Sequence, residues 1–277
     1  MNKKTIKLFL LDGEADGIIR GDITNSDLIS YRIPKNRLKE CKDIEELQFA
    51  GVYILMGEQD GKPFAYIGES ENIYTRINDH AREKDFWNEC LIFVRMNNGF
   101  NKGNIRYLED ALYKNACEAD RYETKNSRKT SPSPLTEAEI EEMDETVSLI
   151  ELITSVRGYK IFKKLKSESE AHEEDLYYIN SIGLKAKGML VDEGFVVFAG
   201  SQSNPEFKEA SKKRNGLWKK WNELRENSIV NLENIFVKDT VFTSSSAAAA
   251  MVLGRDANGY DEWKDKAGTK LGVKINK

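Results

Sequence analysis

The sequence predicts a mixed α/β (α+β) protein in two parts, on three observations. Asp60-Gly61 sits as a turn signal between two apolar, aromatic arms, one opening with Gly51-Val52-Tyr53 and the other holding Tyr66-Ile67-Gly68. Residues 49–125 then alternate strand, strand, helix, strand, helix. Beyond a highly charged stretch from Lys163 to Asp175, strand-like patterning returns. That stretch is the natural boundary between the parts.

Along the chain, Thr5 to Leu11 reads as a first strand. Turns are expected at Asp12-Gly13 and at Arg20-Gly21-Asp22, and an edge element at Ser30-Tyr31-Arg32-Ile33 is closed by Pro34. Residues 1–45 thus form a β-rich preface, possible as a small subdomain of their own. The central part covers 46–162. A helix beginning near Ser70 follows the hairpin, and a second carries Ile105 to Ala116. The proline-punctuated segment Asn126 to Pro134 reads as a loop. Thr136 and Glu139 stand at capping-box spacing and open a helix to about Val156, with Met143, Val147, Ile150 and Leu152 as its apolar positions. In the last part, 176–277, Gly188 to Phe198 suggests two strands around a tight turn. Ser244 to Ala247 starts a short helix that Gly254 can end.

Bulk properties narrow the function. Apolar residues make up 40% and charged residues 32%, which suits a globular domain rather than a disordered one. No stretch approaches the roughly 20 apolar residues of a membrane span, and the apolar run after Lys3-Lys4 is too short and wrongly flanked for a signal peptide. Three widely spaced cysteines (Cys41, Cys90, Cys117) and two histidines make no structural zinc signature; free thiols and a reducing, cytoplasmic location are expected. A net charge of −4 speaks against a uniformly basic surface but leaves room for a local patch.

Two helices carry polar residues where apolar ones belong. Ile73, Ile77 and Ala81 line one stripe, and His80, seven residues after Ile73, falls on it, with Arg76 at its edge. Ile105, Leu108, Leu112 and Ala116 define the other face, and Glu109 stands within it. An unpaired buried carboxylate costs about 2–7 kcal/mol or more, so it calls for a partner, a proton or a metal. Taken singly, each has a bland explanation: Tyr53 and Tyr66 as core aromatics, Arg76 as a surface cation, His80 as a hydrogen-bonded core histidine, and Glu109 paired with Lys102 or Lys114.

Together, Gly51-Val52-Tyr53, Tyr66-Ile67-Gly68, the Arg76-x-x-x-His80 helix and Glu109 resemble the GIY-YIG nuclease family over residues 49 to about 126, with Val52 in place of the family's isoleucine. The resemblance implies a small three-stranded antiparallel sheet flanked by helices and a metal-dependent endonuclease acting on DNA. It implies one Mg²⁺ or Mn²⁺ per active site held by Glu109, phosphate stabilisation by Arg76, and Tyr53 as candidate general base. Tyr66 and His80 would assist, and Asn126 is the looser match to a later family asparagine. An ordinary tyrosine ionises near pH 10, so Tyr53 as base requires help from the metal and Arg76.

Between Lys208 and Arg225 the chain carries a net +5, including Lys212, Lys213, Arg214, Lys219 and Lys220, with Trp218 and Trp221 interleaved. This is the best sequence candidate for a nucleic-acid backbone contact; the alternative is an amphipathic helix that buries the tryptophans and Leu224. Residues from Ser244 through Leu253-Gly254-Arg255-Asp256 and Trp263-Lys264-Asp265 resemble a small domain of unknown function (DUF4357-like) that follows GIY-YIG domains, with a core at about 225–275. Arg255, Asn258, Trp263 and Lys264 there either form a polar surface or cap the helix and pack the turn, and the structural role is the expected one. A homodimer is possible, since cutting both strands with sequence specificity would need two sites. A different class, a DNA-binding or protein-interaction module that no longer cuts, stands as the alternative.

Overall fold

The computed structural model describes residues 3–125, 135–165, 167–181, 183–212 and 215–275, and the chain separates into two units, Met1–Lys164 and Leu165–Lys277. In chain order the first contains β1 (Ile6–Leu10), β2 (Ile19–Ile23), β3 (Leu28–Pro34), β4 (Gly51–Gln59), β5 (Lys62–Ser70), α1 (Ile73–Glu83), β6 (Trp87–Arg95), α2 (Lys102–Ala119), β7 (Glu123–Lys125) and α3 (Glu137–Val156). Asp60 and Gly61 both take positive φ (52° and 74°), the two-residue turn whose twist matches a tight hairpin, and Gln59 pairs with Lys62 across it. Asn72 caps α1 by accepting the Thr75 amide, so the helix begins at Ile73 rather than near Ser70. Thr136 and Glu139 form the expected capping box on α3. The most buried positions of that helix are Met143, Ile150, Ile153 and Thr154, while Leu152 is only half-buried.

The strands form one seven-stranded sheet in the order β1-β2-β3-β6-β4-β5-β7, antiparallel except for the β5–β7 pair. This corrects two expectations: the sheet is not three-stranded, and the β-rich preface is not separate from it. β3 pairs with β6 along its whole length, from Leu28↔Arg95 to Pro34↔Glu89, which gives the central strands a continuation they would otherwise lack. β3 is therefore an interior strand, not an edge. Pro34 is tolerated because it lies at the strand end. Arg20-Gly21-Asp22 is likewise no turn but the middle of β2. A Cβ on Gly21 would lie 2.6 Å from Ser30 Oγ and 2.7 Å from the Arg157 guanidinium, so the glycine there serves a close approach.

Alternation along β4 and β5 sorts the core into two layers. Val52, Ile54, Met56, Ala65 and Ile67 face α2 and α3, meeting Ile105, Leu108, Leu112, Met143 and Ile150. Tyr53, Leu55, Phe64 and Tyr66 face the opposite way, against Ile73 and Ile77 of α1 and against Leu38 and Leu47 of two short 3₁₀ turns. The helices that carry His80 and Glu109 thus lie on opposite faces of the sheet. Cys41 and Cys90 are buried free thiols, and Cys117 is an exposed one.

The second unit contains β8 (Leu176–Ser181), β9 (Leu184–Val191), β10 (Gly194–Val197), α4 (Glu209–Lys212), α5 (Asn215–Glu226), β11 (Thr240–Phe242), α6 (Ser245–Leu253), α7 (Gly259–Glu262) and α8 (Leu271–Ile275). Its sheet is antiparallel in the order β11-β10-β9-β8. Ser244 caps α6 through the Ala247 amide, and Gly254 ends it at φ 62°. Every residue of α6 from Ala248 to Leu253 is buried, together with Phe195, Phe236 and Trp263. Among the described residues no helix is long and apolar enough to cross a membrane.

Candidate active site

Backbone register brings the two tyrosines together. β4 and β5 pair Tyr53 with Gly68 and Leu55 with Tyr66, so both tyrosines point to the α1 face. Their rings stack at 6.3 Å between centroids, inclined by 23°. Gly68 makes room for this arrangement: a Cβ there would stand 2.4 Å from the Tyr53 hydroxyl. Gly51 has a separate cause, since a Cβ on it would meet the Phe93 carbonyl at 2.4 Å across the β4–β6 pair.

His80 enters from α1 and is 1% exposed, a buried position that its place on the Ile73–Ile77 stripe predicts. Its Nε2 lies 2.7 Å from the Tyr53 hydroxyl, and its ring stands edge-on to Tyr66 at 5.2 Å. Burial first, then the positive charges of Arg76 and Lys84, push the His80 pKa down to about 4. The ring is therefore neutral near pH 7 and can accept the Tyr53 proton at Nε2, which leaves Nδ1 buried without a partner. Burial opposes the charge of Arg76, but the Tyr53 and Tyr66 hydroxyls that it faces outweigh this and raise its pKa. Tyr53 itself is pushed well above the ordinary tyrosine range, by burial foremost, then by Tyr66 and Glu109, with Arg76 pulling the other way.

Glu109 projects from α2, on the other layer, and is 3% exposed. Burial, with the nearby Glu69 and Asp110 carboxylates, lifts its pKa to about 7; Lys102 and the Glu69 amide pull it down more weakly. Neither suggested lysine neutralises it. Lys102 is engaged by Glu69 at 2.8 Å, and Lys114 lies nearest Glu118 at 3.9 Å. The Tyr53 and Glu109 side chains nonetheless sense each other, because Glu109 contributes to the Tyr53 shift. Among the described residues β7 pairs with β5 from Phe64 to Tyr66.

Among the described residues no group of three or more histidines, cysteines or carboxylates is poised to hold a metal ion. A single buried carboxylate beside a second one is still an arrangement that a divalent cation would relieve. One protein ligand suits a hard ion such as Mg²⁺ or Mn²⁺, which keeps several waters.

The His80 and Glu109 shifts act on stability in opposite senses. The depressed histidine contributes stability that is present above pH 6.5 and is lost as pH falls through about 4. The raised carboxyl carries no penalty below its unfolded value of 4.5 and its full penalty above about 7. Each shift corresponds to about 3 kcal/mol, so in the native protein they nearly cancel. Glu109→Gln is expected to expose the histidine slope, with about 3 kcal/mol lost between pH 7 and pH 4. His80→Gln is expected to show the reverse slope. Urea unfolding at a series of pH values reads both, and parallel profiles for native and variant proteins would refute the assignment.

Asn126 lies outside the described residues, as do Lys213 and Arg214. Lys212 ends α4, and Lys219 and Lys220 are exposed on α5, each nearest Glu223, at 3.9 and 3.6 Å. The tryptophans are packed rather than offered to bases. Trp218 and Trp221 stack at 5.6 Å against Phe207, Trp221 is buried, and Leu224 shares its core. The Arg225 guanidinium lies 3.3 Å from the centre of the Trp221 ring and donates to the Asn204 carbonyl and Ser203 Oγ, which takes it out of the basic patch. Arg255 pairs with Glu262, Asn258 caps α7, and Trp263 donates to the Ser245 carbonyl from a fully buried position. These are structural roles.

Residues beyond the expected set also shape the site. Glu69 and Lys102 form an ion pair beside Glu109, and Lys84 places its ammonium 4.9 Å from the centre of the Tyr66 ring. A charge at the end of a strand or just past a helix carries no periodic signal. The i, i+4 spacing of Lys84 from His80 was the one available cue.

Residues 49–135 match the family described as the GIY-YIG catalytic domain, and residues 177–273 match a domain of unknown function (DUF4357). Among curated proteins and among solved structures no match was found. The paired tyrosines, the arginine–histidine helix and the buried glutamate all fall within the first match, and the chain carries a GIY-YIG catalytic domain, the hallmark of a nuclease family, followed by a DUF4357 domain.

Proposed function

We propose that this protein is a metal-dependent endonuclease that hydrolyses phosphodiester bonds in DNA. The observation that carries this reading is the 2.7 Å contact between the Tyr53 hydroxyl and neutral His80, with Arg76 facing the same hydroxyl. Glu109 would hold one Mg²⁺ or Mn²⁺, which when bound supplies charge stabilisation for the phosphate and the leaving oxygen. Arg76 would bind a non-bridging phosphate oxygen through its planar fork.

Water attack needs a proton acceptor. Tyr53 takes a proton from the attacking water as its own passes to His80 Nε2, so the tyrosine is never left as a buried anion. The new oxygen–phosphorus bond forms, the bond to the 3′-oxygen breaks, and that oxygen takes up a proton from solvent. His80 is held neutral partly by Arg76 and Lys84. An arriving phosphodiester is an anion that offsets both charges, so substrate binding raises the basicity of His80 when it is needed. Tyr66 flanks the pair and orients the water. The DUF4357 domain would supply substrate choice.

The test is cleavage of a panel of supercoiled plasmid, duplex, flap, branched and single-stranded DNA, and RNA, with Mg²⁺, with Mn²⁺ and with EDTA. DNA cutting that EDTA abolishes is the expected result. Failure to cut any DNA, with salt-sensitive binding retained, would replace the reading with that of a silent binding module.

A further inference from the structure

Two lysines at the tyrosine pocket stand apart from the others around it. Phe64 and Tyr66 are two residues apart on β5 and face the same way. Lys84 sets its ammonium 4.9 Å from the centre of the Tyr66 ring, and Lys125, at the end of β7, sets its own 5.4 Å from the centre of the Phe64 ring. β7 lies parallel to β5 with Lys125 opposite Tyr66, so both cations border one strip of the sheet margin.

Their neighbours are spoken for. Lys35 donates to the Lys84 carbonyl and lies over Trp87, and Lys102 is held by Glu69. Among the described residues neither Lys84 nor Lys125 has a carboxylate within ion-pair distance. Lys84 is half-buried and Lys125 exposed. An ammonium resting on an aromatic face is fixed in place while its N–H donors remain available. Ring faces two residues apart on one strand are spaced by about 7 Å, close to the step between neighbouring phosphates of one nucleic-acid strand.

We infer that Lys84 and Lys125 bind two neighbouring phosphates of the strand being cut, forming a cationic ledge that sets the strand in register with Tyr53 and Arg76. The inference rests on the nuclease reading above and adds to it a backbone contact that is independent of base sequence. It also places that contact on the catalytic domain itself. The basic segment of the second unit is not required for it.

The test is the salt dependence of DNA binding by the full-length chain, in the Glu109→Gln background with Mg²⁺ present, followed by fluorescence anisotropy of a labelled duplex. Each phosphate contact contributes about 0.9 to the slope of log K against log salt. Lys84→Gln/Lys125→Gln is therefore expected to make the slope shallower by about 1.8, equally for unrelated sequences, while Lys84→Arg/Lys125→Arg keeps it. A slope unchanged in the glutamine variant, in a parent that binds, would overturn the ledge and leave the nuclease reading standing. A parent that binds no DNA would overturn both.

Discussion

Glu109→Gln is expected to abolish cleavage while making the metal-free protein more stable. The catalytic loss should be at least roughly 10²–10³-fold, the scale of removing one fixed group that stabilises transition-state charge. The stability gain follows from the pKa of about 7 that burial and Glu69 impose on this carboxyl. At pH 8 the native carboxylate is charged in a site that disfavours charge, and neutral glutamine removes a penalty of about 3 kcal/mol. Metal should reverse the ranking. An ion at one thousand times its dissociation constant adds about 4.1 kcal/mol to the native protein, more than the penalty, and nothing to a variant that cannot hold it. Thermal melts at pH 8 with EDTA and with Mg²⁺, run beside plasmid cleavage, examine all three effects. A variant that still gains stability from Mg²⁺ would remove Glu109 from the metal site. Activity and stability pull against each other at this position.

Tyr53→Phe should cost roughly 10²–10⁴-fold in cleavage rate, the range of a lost acid–base group. The phenyl ring keeps the packing with Tyr66 but takes away the partner 2.7 Å from His80. Because His80 Nδ1 already lacks a partner, the histidine would then have none at either nitrogen, at a cost of about 1–3 kcal/mol. If the two residues form one relay, Tyr53→Phe/His80→Ala should lose about as much activity as either single change, not the product of the two. Single-turnover cleavage with saturating enzyme decides this. Multiplicative losses would mean independent roles, and near-native cleavage by Tyr53→Phe would end its candidacy as base.

The local features of the site were legible because each breaks or obeys a short-range rule. Asp60-Gly61 announced its turn through residues that tolerate positive φ, and His80 and Glu109 announced themselves as polar residues at apolar helical positions. The extent of the sheet was not legible. Pairing of β3 with β6 joins residues some 60 positions apart, which no window of sequence reports. Gly21 looks like a turn residue from its neighbours alone. Only the Ser30 and Arg157 side chains pressed against it show why it sits within a strand. β7, three residues long, is too short to carry a period. The tryptophans of the basic segment were ambiguous between stacking and packing, and Phe207 decides for packing.

The division of the site between the two layers of the sheet makes it depend on strand register. Tyr53 and Tyr66 face the layer of α1, which carries Arg76 and His80, whereas Glu109 comes from the helix on the other face. Side chains alternate along a strand, so a slip of one residue between β4 and its neighbours would turn Tyr53 away from His80 and into the layer of α2. The paired strands on both sides of β4 therefore act as a gauge that holds the hydroxyl and the imidazole 2.7 Å apart.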